Sequence, residues 1–351
     1  MSLSRRSVLA AGAGIAWRQM GSSQAAAQAL FPATGTPSPQ PVGGKLTVYC
    51  GRNEVRVRPL LDTVGSILGI DIQVRYSGTS ELAATILEEG DNSPADVFFV
   101  QDGGALGVLA TAGMLATLPE AILTVVEPRF RSRAGLWVGT SARARVLAYN
   151  TDAITPESLP GSVDGLVDPV WAGRIGWTPS HTNFQTFVTA FRLLRGEAVA
   201  RDWLVAMRDN GTVGLDGHDQ VVRAVLAGEL DAGLVNHYYK HEIKAELGDD
   251  APLENHYFSN GDVGSLVNVA GAAILASSSH RPQAEAFIRY LLTPTAQTYF
   301  AERIIEYPLI ADVDVPPDLL PLDEIESPDI DLDDLADLRE SVALLTDLGL
   351  L

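Results

Sequence analysis

The chain has 351 residues, 46 % of them hydrophobic, so it is long enough for two domains of ordinary size and too apolar to be disordered throughout. Acidic residues number 44 and basic residues 25, and the net charge of −19 argues against nucleic acid or an anionic lipid surface as a partner. The single cysteine, Cys50, excludes an internal disulfide and any cysteine-based zinc or iron–sulfur site.

The N-terminus has the features of an export signal. Ser4-Arg5-Arg6-Ser7-Val8-Leu9 precedes an Ala/Gly-rich apolar stretch that is too short to span a bilayer. We therefore predict a twin-arginine-type export signal over residues 1–30, followed by a flexible Pro/Ser/Gly linker over 31–44. The predicted location is periplasmic or extracellular, and because no cysteine lies near the signal, no lipid anchor is expected.

From Lys45 onward, strands alternate with helices, which is the pattern of a parallel sheet with right-handed crossovers. Apolar periodicity predicts strands over 46–50, 70–76 and 95–100 and helices over 55–68, 80–89 and 104–112, with Ser80 as the N-cap of the second helix. The residues that follow these strands, among them Asn53 and Gln101, are expected along one edge of the sheet.

The pattern changes in the middle of the chain. Two apolar runs within Leu136–Asn150 predict a strand that crosses between lobes, and Gly271–Ala276 is the expected return crossing. Between them lies a second α/β unit, and a long amphipathic helix follows the return. The expected elements are strands over 174–178 and 232–236 and helices over 183–194, 200–207, 219–227 and 283–300.

These elements predict an α/β protein of two lobes that close on a ligand. The N-terminal lobe comprises residues 45–141 with about 271–315, and the C-terminal lobe comprises 142–270. Residues 316–351 are acidic but carry regularly spaced Leu and Ile, so they are expected to pack on a lobe and to end in a helix over about 332–348. Two lobes joined by short crossing strands can rotate as rigid bodies around a small ligand.

The most informative stretch is an apolar strand that ends in Asn236-His237-Tyr238-Tyr239. Strand ends of open α/β sheets bind ligands, and two adjacent phenols there are unusual. Ferric iron is a hard, highly charged cation that suits anionic oxygen and can displace a phenol proton. Tyr238 and Tyr239 are therefore predicted to hold ferric iron; the alternative is that both rings simply pack in the core.

Two histidines near the end of this strand have the spacing of a metal-binding pair on a helix. His237 and His241 are four residues apart, but no Glu follows the first of them, so a zincin-type site is excluded and packing or surface exposure is favoured.

Five separated motifs resemble the periplasmic ferric-iron-binding proteins, the substrate-binding components of iron(III) uptake transporters of the ATP-binding cassette class. The resemblance runs from about Lys45 to the C-terminus, and it implies a type II-like Venus flytrap fold with two hinge-crossing strands. The motifs are Leu46–Glu54, Glu88–Phe98, Ser141–Val146, Gly228–Tyr239 and Glu306-Tyr307-Pro308-Leu309.

The resemblance implies that Tyr238 and Tyr239 are the shared iron ligands. Many members add a His and a Glu at the positions of Asn53 and Gln101, and others add a Tyr at the position of Asn183, so these further ligands are absent here. Asn53 and Gln101 are still candidates to reach the iron through water, and His181 is a candidate to replace a missing metal ligand. His218 stands where members often have an Asn near the anion, so it is a candidate to support the site from behind the ligands. Two phenolates cannot fill an octahedral shell. The resemblance therefore also implies a synergistic anion, carbonate or phosphate.

The expected holders of that anion are residues with hydrogen-bond donors near the tyrosines. Guanidinium groups suit oxyanions, and the free N–H groups of a helix that begins near Asn183 favour a negative charge. Arg52 is expected at the rim of the cleft instead. The proposed anion-binding residues are Ser180, Thr182, Asn236, Arg143 and Arg145, with contributions from His181 and Asn183.

The predicted function is therefore a monomeric ferric-iron carrier that delivers its cargo to a membrane permease. A carrier for an oxyanion or a small organic ligand is the alternative. An enzyme is not expected, because the sequence has no nucleophile-elbow, phosphate-loop or zincin motif.

Overall fold

The computed structural model describes residues 40–336 and 338–351. The predicted export signal and residues 31–39 of the predicted linker lie outside the described residues. Within those ranges, the helices are all too short or too polar to traverse a lipid bilayer.

The described strands form one mixed sheet in the order β2-β1-β3-β9-β4-β7-β5-β6, with β8 beside β4. The neighbours β2, β1 and β3 are parallel, as are β7, β5 and β6, whereas β9 and β4 run antiparallel to their neighbours. The strands are β1 (Lys45–Cys50), β2 (Asp71–Tyr76), β3 (Val97–Val100), β4 (Val138–Asn150), β5 (Ile175–Trp177), β6 (Val213–Gly214), β7 (Ala232–Asn236), β8 (Leu253–His256) and β9 (Val267–Ile274).

Helices follow most of the strands, as the alternating pattern predicts. They are α1 (Glu54–Leu68), α2 (Thr79–Glu89), α3 (Gly103–Thr111), α4 (Glu120–Leu123), α5 (Thr182–Arg195), α6 (Glu197–Asp209), α7 (His218–Leu226), α8 (Tyr238–Leu247), α9 (Arg281–Leu291), α10 (Pro294–Tyr299) and α11 (Leu338–Asp347).

Strand β4 joins the two halves of the sheet. Its first half pairs with β9 and its second half pairs with β7 and β8, and all of its residues are buried. It therefore runs through both parallel units, as expected of a crossing strand. The two lobe boundaries inferred from the sequence stay a prediction.

Aromatic packing fixes the start of α5 against the sheet. The ring of Trp177, at the end of β5, lies edge-on to Phe184 with centroids 5.4 Å apart, and Phe187 packs on Trp203 of α6 at 5.7 Å. Such pairs bury large apolar areas in a defined geometry. They hold the loop before α5 at the end of β5.

The predicted helix over 283–300 is wrong in its continuity. The structure has two helices, α9 and α10, followed by a π-helical turn over Phe300–Ile304. Pro294 lacks an N–H and disfavours a helical backbone at the residue before it, and Thr293 is extended and caps α10 instead. The predicted cap of α2 is also wrong, because that helix begins at Thr79, after Gly78.

The C-terminal segment has two docked parts, which we call the C-terminal strap: the 3₁₀ turn Leu332–Ala336 and helix α11. The turn lies against α3, where a Cβ atom on Gly107 would come within 2.6 Å of the Cβ of Ala336. Trp137 donates its indole N–H to Asp333 at 2.7 Å. Glycine in α3 therefore lets the strap approach the helix closely.

Helix α11 lies against α5. The Ser341 hydroxyl is 2.7 Å from that of Thr189 and accepts a hydrogen bond from Arg192 at 2.9 Å, and Leu345 is fully buried. The predicted docking of the acidic segment on a lobe thus takes a specific form. Its two parts lie on helices that belong to the two different predicted lobes.

Cys50 lies at the end of β1 and is buried. Burial raises the pKa of its thiol to about 11, although Arg52 acts in the opposite direction. The thiol is therefore inert at neutral pH, in agreement with the expected role as a small core residue.

Candidate metal and anion site

The adjacent tyrosines lie at the junction of β7 and α8. The strand ends at Asn236, and Tyr238 and Tyr239 begin the helix. Tyr238 is only 2 % exposed, but its hydroxyl accepts a hydrogen bond from the side-chain amide of Asn236 at 3.2 Å, and the Arg56 guanidinium lies 5.5 Å from its ring centroid. The ring is thus packed while its hydroxyl faces polar groups.

Tyr239 is partly buried beside its neighbour. Its ring centroid is 4.7 Å from that of Tyr238 and 5.3 Å from that of His218. Burial raises the pKa of Tyr239, and proximity to Tyr238 raises it further. Without metal the phenol therefore keeps its proton, and only a strong Lewis acid would displace it.

Two buried arginines line a small cavity that Asn236 links to the Tyr238 hydroxyl. Arg143, Arg145, Asn183 and Asn236 all line this cavity, whose volume of about 10 Å³ suits roughly one water molecule. The Nη1 atom of Arg143 and the Nε atom of Arg145 are buried without a hydrogen-bond partner. Unpartnered buried guanidinium donors are costly, so the arrangement favours an acceptor between them.

The two arginines differ in charge compensation. Arg143 forms an ion pair with Asp102 at 3.3 Å, whereas Arg145 has no carboxylate within 4 Å among the described residues. The pKa of Arg145 is lowered to about 9, mainly by burial; Tyr238 acts in the opposite direction, and the charge of Arg143 contributes to the lowering. At neutral pH, Arg145 therefore remains a buried positive charge that is not neutralised by the described side chains.

Asp102 is a site residue that sequence reasoning missed. Its buried carboxylate accepts hydrogen bonds from the Gly104 N–H, from Asn268 at 2.8 Å and from Thr186 at 3.1 Å, in addition to its pairing with Arg143. It thereby ties the start of α3 to α5 and β9. The sequence feature that could have identified Asp102 is its position two residues after the end of the apolar strand β3.

The loop before α5 brings several predicted anion holders together. Asn183 accepts a hydrogen bond from Arg143 through its side-chain oxygen at 3.3 Å, and its backbone N–H donates to His181 Nδ1 at 3.2 Å. The His181 ring thus caps the helix and satisfies one of the N–H groups expected to face an anion. Thr182 is partly buried at the first position of α5, and Ser180 is exposed.

Asn53 and Gln101 lie farther along the sheet edge. Asn53 is exposed and caps α1 by accepting the Arg56 N–H at 3.4 Å. Gln101 is half-buried at the end of β3, and in the described ranges neither side chain has a hydrogen bond to the tyrosine pair. No group of three or more His, Cys, Asp or Glu side chains that could hold a metal occurs in the described parts of the chain.

The expected position of Arg52 at the rim is wrong. Arg52 is 5 % exposed and forms a buried ion pair with Glu306 at 2.5 Å, and both groups contact Ser141. The ion pair joins the loop before α1 to the segment after the π-helical turn, and Ser141 of β4 contacts both groups. Glu306 compensates the guanidinium charge, which is why Arg52 can leave the solvent.

His237 and His241 do not share a site. His237 is fully buried and its two ring nitrogens bond the Ala144 N–H at 3.2 Å and the Ile305 carbonyl at 2.8 Å. His241 lies 3.1 Å from Asp318. The favoured reading, packing rather than metal binding, fits these contacts.

Comparison with known proteins places these features in context. The profile of the family described as "Bacterial extracellular solute-binding protein" matches residues 92–332. The "Fe(3+)-binding periplasmic protein" of Serratia marcescens is 34 % identical over 308 residues, which cover 87 % of this chain and 90 % of that protein.

Solved structures agree in fold. Iron-bound HitA from Pseudomonas aeruginosa is 36 % identical and superposes with a TM-score of 0.81 over 87 % of this chain and 99 % of that one. The Trichodesmium protein solved in complex with iron and citrate ligands is 26 % identical, with a TM-score of 0.78 over 88 % of this chain and 100 % of that one.

Proposed function

Because the chain belongs to the bacterial extracellular solute-binding proteins, which bind substrates for transport and are not enzymes, we propose that it captures ferric iron outside the cytoplasm. The resemblance deduced from the five motifs is confirmed at the level of the family. We further propose that the protein works as a monomer and delivers iron to a permease of an ATP-binding cassette transporter, after export by the twin-arginine route.

The observation that carries the proposal is the adjacent pair Tyr238 and Tyr239 beside a polar cavity. Their hydroxyls supply two hard oxygen ligands once iron displaces the protons. The names of these relatives concern ferric iron and support this choice of cargo. Asn53 and Gln101 are neutral amides in this chain and would reach iron only through water.

A synergistic anion completes the proposed site. Ferric iron with two tyrosinates leaves one positive charge, and Arg145 adds a second, while Arg143 and Arg56 are paired with Asp102 and Glu242. One dianion, such as carbonate or hydrogen phosphate, would cancel this buried charge. The proposed anion holders are Arg143, Arg145, Asn236, Ser180 and Thr182, with His181 and Asn183.

The first prediction concerns colour and affinity. The metal-free full-length protein, titrated with ferric nitrilotriacetate in bicarbonate buffer, is expected to turn orange-red through phenolate-to-iron charge transfer. Tyr238→Phe and Tyr239→Phe should each weaken iron binding by at least about 100-fold, since each removes a direct ligand. Tyr76→Phe, which removes a hydroxyl from β2 away from the tyrosine pair, is the matched control and should keep both colour and affinity.

The unpartnered donors of Arg143 and Arg145 also favour a second candidate, a carrier for an oxyanion or a small organic ligand. Titration calorimetry with phosphate, bicarbonate and citrate in metal-free buffer separates the two. Two results together would contradict iron capture by the tyrosines and support the second candidate. One is tight anion binding without iron, and the other is an iron titration of the Tyr238→Phe/Tyr239→Phe variant that equals that of the wild type.

A further inference from the structure

His237 and His218 pack against the tyrosine pair and His181 packs against His218, and the ring nitrogens of these three residues are not equally available. His237 uses both nitrogens, because Nδ1 accepts from Ala144 and Nε2 therefore donates to the Ile305 carbonyl. His181 accepts the Asn183 N–H through Nδ1, so its Nε2 carries the proton in the neutral ring and can only donate. His181 therefore suits an anion and not a metal.

His218 is different from both. It is the first residue of α7 and is 1 % exposed, and its ring lies between those of His181 and Tyr239, with centroids 4.5 Å and 5.3 Å away. Neither of its nitrogens has a hydrogen bond of ordinary geometry. A buried imidazole without partners is costly, which calls for a ligand that satisfies it.

The surroundings of His218 match those of a metal-binding imidazole. The Leu234 carbonyl is near the His218 ring and favours a proton on one of its nitrogens, although the two groups form no hydrogen bond of ordinary geometry. Histidines that bind metals commonly direct one N–H toward a backbone carbonyl and offer the other nitrogen to the metal. The same carbonyl accepts from Arg145 at 3.3 Å, which holds it in place.

We infer that His218 supplies an imidazole nitrogen to the bound iron, as a third protein ligand beside Tyr238 and Tyr239. The inference rests on the proposed function. His218 is the first residue of α7, and the two tyrosines are the first residues of α8. These helices precede and follow the same strand, β7. Because imidazole is neutral, it leaves the charge requirement for a dianion unchanged. Iron would be held by one predicted lobe, without a direct ligand from Asn53 or Gln101.

Pulsed electron paramagnetic resonance tests this ligand directly. The full-length protein loaded with ferric iron and carbonate should show nitrogen modulation from a coordinated imidazole. Uniform incorporation of ¹⁵N-histidine should convert that signal to the ¹⁵N pattern, a result that needs no substitution. His218→Gln should abolish the modulation and weaken iron binding by at least about 100-fold, the upper end of the loss seen for groups that only orient ligands.

Controls separate His218 from its neighbours. His181→Gln should keep the nitrogen modulation, and His280→Gln, at a half-exposed residue paired with Asp96, should keep both modulation and affinity. If His218→Gln does not fold, as judged by circular dichroism, His218→Asn and the labelled wild-type protein decide the matter.

Two results would overturn the inference. One is an orange-red wild-type complex that lacks imidazole modulation, and the other is modulation that survives in His218→Gln. If the wild-type complex shows no modulation and His218→Gln changes how iron binding depends on the anion, the residue would be assigned to the anion instead. Failure of the proposed function is distinguishable, because the wild-type protein would then develop no charge-transfer colour.

Discussion

His237 separates the strand that ends at Asn236 from the helix that begins with the tyrosines, and its ring holds this junction to two other parts of the fold. One nitrogen accepts from Ala144 in β4 and the other donates to the Ile305 carbonyl after the π-helical turn. Its ring also stacks on Tyr307 with centroids 4.7 Å apart. These contacts require a neutral imidazole, since a protonated ring cannot accept the Ala144 N–H.

The stability of the metal-free protein should therefore fall in mild acid. Burial lowers the pKa of His237 to about 3, whereas the unfolded residue titrates near 6.5, so below that pH the unfolded chain binds the additional proton. Between pH 7 and pH 5 this difference should lower the free energy of unfolding by about 2 kcal/mol. Urea unfolding at both pH values measures it.

His237→Gln can still accept and donate. Between pH 7 and pH 5 its free energy of unfolding should fall by about 2 kcal/mol less than that of the wild type, because the buried His181 and His218 also have lowered pKa values and keep their own contributions. His280→Gln should keep the full wild-type loss. An equal loss of stability in wild type and His237→Gln would show that other groups cause the effect.

Positions of candidate residues were predictable from sequence where a local pattern marked them. Tyr238 and Tyr239 stand out because two adjacent phenols follow an apolar strand, and their role as iron ligands stays a prediction. The burial of Arg52 could not be predicted in this way, because its partner Glu306 lies 254 positions later. Asp102 was overlooked for a similar reason: its donors come from β4, α5 and β9, and only the folded sheet brings them to one carboxylate.

Among the elements, the C-terminal strap shows how little acidic composition says about docking. Its turn fits the glycine side of α3, and its helix α11 lies on α5, whose second residue, Asn183, lines the small cavity beside Arg143 and Arg145. Leucine spacing indicated that the segment packs. The partner helices are determined by surface shape, such as the missing side chain at Gly107. The spacing of residues along the sequence carries no information about this shape.

Removing a buried side chain of α11 should reveal its contribution. Leu345→Ala deletes a fully buried side chain and should lower the free energy of unfolding by about 3 kcal/mol, within the range for large-to-small core substitutions. Glu340→Ala, at an exposed position of the same helix, is the control and should change it by less than about 0.5 kcal/mol. A negligible effect of Leu345→Ala would mean that α11 is detached in solution.

At the scale of the whole molecule, a single sheet carries both parallel units, and β4 takes part in each. Alternating strands and helices were sufficient to predict the α/β class and the position of the crossing strand. Their spatial order was not, because the antiparallel insertion of β9 and β4 between the two parallel units joins residues more than a hundred positions apart.

The net charge of −19 should make stability depend on ionic strength. Screening weakens repulsion among acidic groups, and although it also weakens exposed ion pairs, each such pair contributes only about 0–1 kcal/mol. Raising sodium chloride from about 0.05 M to 1 M, where the screening length falls to about 3 Å, should therefore raise the melting temperature. Sucrose at matched osmolality controls for solvent exclusion, and a lower melting temperature in salt would contradict the argument.

The buried thiol of Cys50 has a practical consequence for spectroscopy. Since the chain contains no other cysteine, and this one is sealed in the core with its thiolate suppressed, maleimide reagents find no native target on the folded protein. A pair of cysteines engineered onto the surface, one in each predicted lobe, would accept dyes without background. The proposed closure of the two predicted lobes around iron could then be followed by energy transfer in real time.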